Sequence, residues 1–184
     1  MAMNARDIVE QLRKDHEQVK ELFSQFGPSG PPKTAELFCE LTSELVRHEV
    51  AEEEVVYPVA RRAIPNGDRL ADARIKEQAA AEELLDKMEK AGPQDEQFAS
   101  DLDKLHKAVL EHAEKEESLI FEPLGQALDS KERSRLGELY EQAKGAAPTH
   151  PHPHAPDTPP GNVMVGPVAA LVDRARDAMR KVRS

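Results

Sequence analysis

Two segments of the chain carry the same pattern: RHEVAEEEVVYP, with His48 and Glu52, and EHAEKEESLIFEP, with His112 and Glu116. Each reads His-x-x-x-Glu-Glu, then an apolar stretch, an aromatic residue and a proline. Leu41 and Leu45 precede His48 by seven and three residues, and Leu105 and Val109 precede His112 by the same offsets. Residues four apart share one face of a helix, about one turn apart. Each segment therefore aims an imidazole and a carboxylate at one point, on a stripe that enters a helical core. A buried His beside a buried Glu is costly unless something compensates the charge and the polar groups. A metal ion does that.

The first and third helical stretches extend the pattern. ARDIVEQLRKDHEQVKELF puts His16 on a stripe with Ile8, Val9, Leu12, Val19 and Phe23, and ARIKEQAAAEELLDKM reads as its counterpart. Setting Asp15-His16 against Glu77-Gln78 aligns Val19 with Ala81, Leu22 with Leu84 and Phe23 with Leu85. The chain thus reads as two successive helix pairs, and chance rarely reproduces both spacing and order.

These residues resemble the hemerythrin-like, or HHE cation-binding, domains of bacteria. That family's pattern is a DH motif, then H-x-x-x-E-E ending in an aromatic and a proline, then both again. Asp15-His16, His48/Glu52/Tyr57-Pro58 and His112/Glu116/Phe121 match it, over about residues 5 to 125. The resemblance implies an antiparallel four-helix bundle holding two non-heme irons, oxo- or hydroxo-bridged. In that reading Glu52 and Glu116 bridge the irons, with His16 and His48 on one and His112 on the other. Two departures stand out. The third-helix His is replaced by Gln78, a poor metal ligand; Glu82, four residues on and on the same face, is an alternative oxygen donor. Glu122 also separates Phe121 from Pro123, a one-residue insertion against the first copy.

Other positions near the pattern read differently. Glu53 and Glu117 follow the carboxylate ligands by one residue, about 100° round the helix. Together with Tyr57 and Gln78 they are candidates to hydrogen-bond the ligands rather than bind metal, with Glu117 a minor alternative to Glu116. His106, six residues before His112, points elsewhere. Neutral imidazoles with carboxylates suit iron, manganese or zinc. Structural zinc normally uses cysteines, so iron is the best choice, mainly through the family resemblance.

Composition fits an all-α protein. Charged residues make up 33% and aromatics 4% of 184 residues, without Trp. The formal charge of −10 argues against nucleic acid and against an anionic membrane surface as partners. The single cysteine, Cys39, rules out an intramolecular disulfide and fits a reducing cytoplasm; beside Phe38 it reads as a buried small hydrophobe. No apolar run approaches a membrane span, and no signal peptide opens the sequence.

Gly and Pro punctuate the chain into helices at about 4–26, 33–63, 68–91 and 94–127, with joints short enough to force antiparallel neighbours. Residues 1–128 read as the bundle. A further helix follows at 129–145, carrying Leu136, Leu139 and Tyr140. Residues 146–162 form a Pro/His-rich linker with His150, His152 and His154, read as a strap over the bundle rather than a chelator. A basic amphipathic helix at 163–184 closes the sequence and suits docking onto the bundle or onto a second copy, as in a homodimer.

The function expected is an iron protein that handles or senses small oxygen species: peroxide, O2 or NO. Fewer nitrogen ligands and more anionic oxygens favour ferric iron, which points away from reversible O2 carriage and towards catalase-like peroxide activity or sensing. The rivals are a metal-dependent sensor or binding module and a metal-free structural bundle. No phosphate loop, dinucleotide motif or nucleophile-plus-base arrangement supports another enzyme class.

Overall fold

A computed structural model describes residues 7–27 and 31–153. His154 and the expected C-terminal helix at 163–184 lie outside the described residues. Within them the chain is helical and contains no strand. Helix α1 spans Ile8–Ser24 and is capped by Asp7, whose side chain accepts from the Val9 N–H. The second long helix is built of α2, Pro31–Ala51, a π-helical turn over Glu52–Val56, and α3, Tyr57–Ala63. The third is α4, Gly67–Ala91; the fourth joins α5, Phe98–Glu116, a second π turn over Glu117–Phe121, and α6, Glu122–Ala127. These four pack as a bundle with successive neighbours in contact.

The π turns are where the sequence expectation of plain helices needed refinement. A proline inside a helix has no N–H to donate and its ring clashes with the carbonyl four residues back. Both π turns end just before a proline, Pro58 in the second helix of the bundle and Pro123 in the fourth. The wider turn moves the strain off the α ladder: the Tyr57 N–H reaches Glu52 O and the Glu122 N–H reaches Glu117 O, five residues back in each case. The first π turn starts at Glu52 and the second one residue later in register, at Glu117, which matches the one-residue insertion at Glu122.

Helix α7, Ser130–Ala146, follows with a full capping box between Asp129 and Glu132. It lies against α1 and α2. The chain then turns across the bundle as a strap, Ala147–Pro153, in which Ala147, Pro148, His150 and Pro151 are buried. His150 Nδ1 meets Glu89 Oε1 on α4, and the His152 N–H donates to Glu82 Oε1 at 2.7 Å.

Two apolar layers fill the bundle. One is built around Ile8, Leu12, Tyr57, Ile120, Phe121 and Tyr140; the other around Val19, Phe23, Leu41, Leu45, Leu85 and Leu105. His16 sits on α1 between Leu12 of the first layer and Val19 of the second. A polar layer is thereby sandwiched between two dry ones. Each large apolar side chain contributes about 1.5–3 kcal/mol on burial, which lets the fold carry a polar interior that opposes it. His106 stacks on Phe23 with ring centroids 4.4 Å apart, and Cys39 is half-buried.

Candidate metal centre

Helical register delivers the polar layer. On α1, α2 and α5 the stripe positions bring His16, His48 and His112 inward, and one turn further on Glu52 and Glu116 reach the same level with no exposed surface. One donor atom from each of His16, His48, Glu52 and Glu116 falls within 4.8 Å of all the others. His48 Nε2 lies 3.3 Å from Glu52 Oε1, and His112 Nε2 lies 3.1 Å from Glu116 Oε2. His16 Nε2 is 3.5 Å from the same Glu116 oxygen.

The outward nitrogen of every imidazole is held. His16 Nδ1–H donates to Glu117 Oε1 at 2.9 Å, and His112 Nδ1–H donates to Glu77 Oε2 at 3.1 Å. His48 Nδ1 lies 2.7 Å from the Tyr140 hydroxyl. That hydroxyl gives its one proton to Asp15 Oδ2, also at 2.7 Å, so His48 must be the donor in its own bond. In all three rings the tautomer with the proton on Nδ1 is selected, and the Nε2 lone pair points inward. A carboxylate behind the imidazole is the usual way a protein orients a metal-binding His.

The inward atoms lack hydrogen-bond partners. Nε2 of His16, His48 and His112, Oε1 of Glu52, Oε2 of Glu116 and Oε1 of Gln78 are all buried without one. Leaving such an atom unpaired costs roughly 1–3 kcal/mol each. Six on one layer, aimed at one another, amount to a donor set of nitrogens and carboxylate oxygens that a divalent or trivalent cation satisfies. The residues present fit such an ion.

The electrostatics agree. Burial raises the Glu52 carboxyl well above its usual range, with the facing Glu116 and Glu49 adding to the effect. Burial also works against the Glu116 charge, but His112 and His16 outweigh it and hold that carboxyl well below its usual range. Of the facing pair, Glu116 keeps the charge and Glu52 takes the proton. Burial lowers the His48 pKa, while at His112 the carboxylates of Glu116 and Glu77 overcome burial and raise it. At Asp15 burial is again overcome, here by His48 and Lys144, and the carboxyl lies well below its normal range.

The remaining sequence candidates are placed as follows. Tyr57, buried, donates to Glu116 Oε1 at 2.7 Å, and its oxygen is 3.3 Å from Glu52 Oε2. Gln78 Nε2 donates to Glu52 Oε2 at 2.8 Å from the place of the third-helix His. Glu53 is half-buried and lines a surface cleft with Pro58 and Arg61. The structure does not bring Glu82 into the cluster; its carboxylate faces the strap at His152. Sequence reasoning gave no role to Asp15, Glu77 or Tyr140. For Asp15 and Glu77 a signal existed: each precedes its inward residue in the aligned repeat, and each holds the His of the following helix. Tyr140 lies outside the repeat, and nothing in the spacing marked it.

A helical bundle with converging imidazoles and carboxylates in its core defines a cation-binding four-helix protein. Residues 7–124 match the sequence model of the hemerythrin HHE cation binding domain, and the chain belongs to that family. An uncharacterized hemerythrin-like protein of Schizosaccharomyces pombe is 30% identical over 176 residues, covering 95% of this chain and 87% of the relative. A protein of Nostoc named DNA nickase is 30% identical over 143 residues, covering 77% of this chain but only 39% of that protein. No solved structure matches the chain. No helix among the described residues is long and apolar enough to cross a membrane.

Proposed function

We propose that the cation is iron, held at two positions, and that the protein handles or senses small oxygen species. The observation that carries this is the set of three Nε2 atoms left without hydrogen bonds while each Nδ1 is anchored. His16 and His48 with Glu52 would hold one ion, and His112 with Glu116 the other, the two glutamates lying between. Iron supplies the electron transfer to oxygen species that these side chains cannot perform.

The chain's own residues do the rest. The anchored imidazoles present neutral lone pairs without reorganisation. Tyr57 holds a proton 2.7 Å from Glu116, fixing that carboxylate and keeping a donor next to the centre. Gln78 fixes Glu52 in the same way. The apolar layers close the site above and below. Gln78 in place of an imidazole leaves one position poorer in nitrogen, which favours peroxide chemistry or sensing over reversible O2 carriage. The test is elemental analysis of protein purified without a chelating tag, with its visible spectrum and a peroxide-consumption assay. Two irons per chain and peroxide turnover support the reading. Reversible O2 uptake through many cycles without autoxidation, or zinc in place of iron, overturns it.

One observation favours sensing in particular: α7 reaches the His48 ligand through Tyr140. Metal occupancy then bears on how α7 sits. If so, stripping iron with a chelator speeds proteolysis after residue 129; an unchanged digestion pattern removes this reading. DNA, suggested by the name of the Nostoc relative, is opposed by a net charge of −10. Nicking of supercoiled plasmid would overturn that judgement.

A further inference from the structure

A cavity of about 320 Å³ opens from the surface onto the polar layer. It passes between α4 and α5, where Ala80 and Ala108 are exposed at its mouth. Its walls are apolar: Val19, Leu45, Ala81, Leu84, Val109 and Ala113. At its base lie His16, His48, Gln78 and His112. Small residues make the space, since the alanines on facing helices leave unfilled what leucines would occupy.

The size is the first argument. A diatomic molecule or hydrogen peroxide needs about the volume of one or two waters, roughly 30 Å³ each. A dry cavity of about 150 Å³ holds benzene. The present one is about twice that and falls at the small end of organic ligand pockets, roughly 300–1,000 Å³. The polar atoms narrow the choice further. Gln78 is 2% exposed, and its Oε1 is unpartnered and not needed for the metal. The occupant therefore carries one polar end that can donate to it. Charge narrows it again. Glu77 and Glu111 line the cavity, with the Glu116 carboxylate beneath. The two nearby cations are already engaged, Lys20 with Glu17 at 2.7 Å and Lys115 with Glu77 at 2.9 Å. An anionic head group is disfavoured in that field in the metal-free chain.

We infer that this cavity is a binding site for a neutral, linear aliphatic molecule of medium length ending in a hydroxyl or hydroperoxyl group. Its chain lies between α4 and α5, and its hydroxyl points at Gln78 Oε1. The inference rests on the proposed metal centre only for what the head group faces; the chain-binding part stands on the cavity alone.

The probe is 1-octanol, titrated calorimetrically into the full chain as purified and again after chelation, with octanoate as the anionic control. The expected result is saturable binding of one octanol per chain in both states, with octanoate at least tenfold weaker after chelation. Ala81→Leu fills the interior and Ala108→Phe blocks the exposed mouth; each is expected to weaken octanol at least tenfold, with helix content by circular dichroism unchanged for the surface variant. Absence of saturable binding, equal affinity for octanoate after chelation, or full affinity in both variants overturns the inference. Protein that carries no iron as purified yet binds octanol counts against the iron reading alone, and iron-loaded protein that does not bind it counts against the cavity alone.

Discussion

Tyr140 shows how a single hydroxyl sets the state of a proposed ligand, His48. It accepts a hydrogen bond from His48 Nδ1–H and donates its own to Asp15, so His48 keeps its Nδ1 proton and has one free lone pair and one orientation. Tyr140→Phe keeps the ring and removes the relay. We expect metal affinity to fall about 10–100-fold, the range for loss of a group that orients a metal-bound His, read by competition with a chelator. Gln78→His restores a nitrogen at the base of the cavity and should raise the metal retained per chain after dialysis; unchanged stoichiometry would show that Gln78 is not what limits the second position. At this scale the inward residues were legible, because a four-residue spacing repeated on a leucine stripe leaves little else for His48, Glu52, His112 and Glu116 to face. Of the outward partners, Glu117 was legible, and Asp15 and Glu77 left a trace in the aligned repeat; Tyr140 was not, because a hydrogen bond between helices has no sequence period of its own.

Among the elements, the helices and their order followed from stripes, caps and stop residues. The π turns did not, since His-x-x-x-Glu is an α spacing and each widened turn begins at or after its carboxylate. The prolines were the available clue. The α3–α4 joint offers a test of element placement. Gly67 opens α4 so close to α3 that an added Cβ would lie 2.1 Å from the Ala60 carbonyl oxygen, and Asn66 before it is left-handed at φ 58°. Gly67→Ala should therefore destabilise the fold by about 1–3 kcal/mol, the range for overpacking, measured by urea denaturation. A neutral result would mean that α4 starts further from α3.

For the whole molecule, metal and pH act together. The His112 pKa is raised above 6.5 by Glu116 and Glu77, so its ion pair stabilises the metal-free fold below that value and is lost as pH rises through the raised one. Glu52, raised from 4.5 by burial and Glu116, weakens the metal-free fold in the same direction, because the unfolded chain ionises it freely above its ordinary pKa. Metal binding needs neutral imidazoles and ionised carboxylates, so it strengthens as pH rises. The gain in melting temperature on iron loading should thus be largest near pH 8 and shrink towards pH 5. A gain that is flat or falls with rising pH would remove His112 and Glu52 from the donor set.

The order of residues along the chain adds a dimension of time. Every proposed ligand lies at or before Glu116, while Tyr140 comes later, on a helix outside the repeat. At about 5–20 residues per second of synthesis, the donor set emerges first and the hydroxyl that fixes His48 arrives after a delay. Helix α7 would then act as a closing step: metal entering the nascent bundle would meet a His48 not yet held by Tyr140, and α7 would fix it on arrival. A chain ended after residue 128 should exchange its metal faster than the full chain, and equal exchange rates would show that closure comes from the four-helix bundle alone.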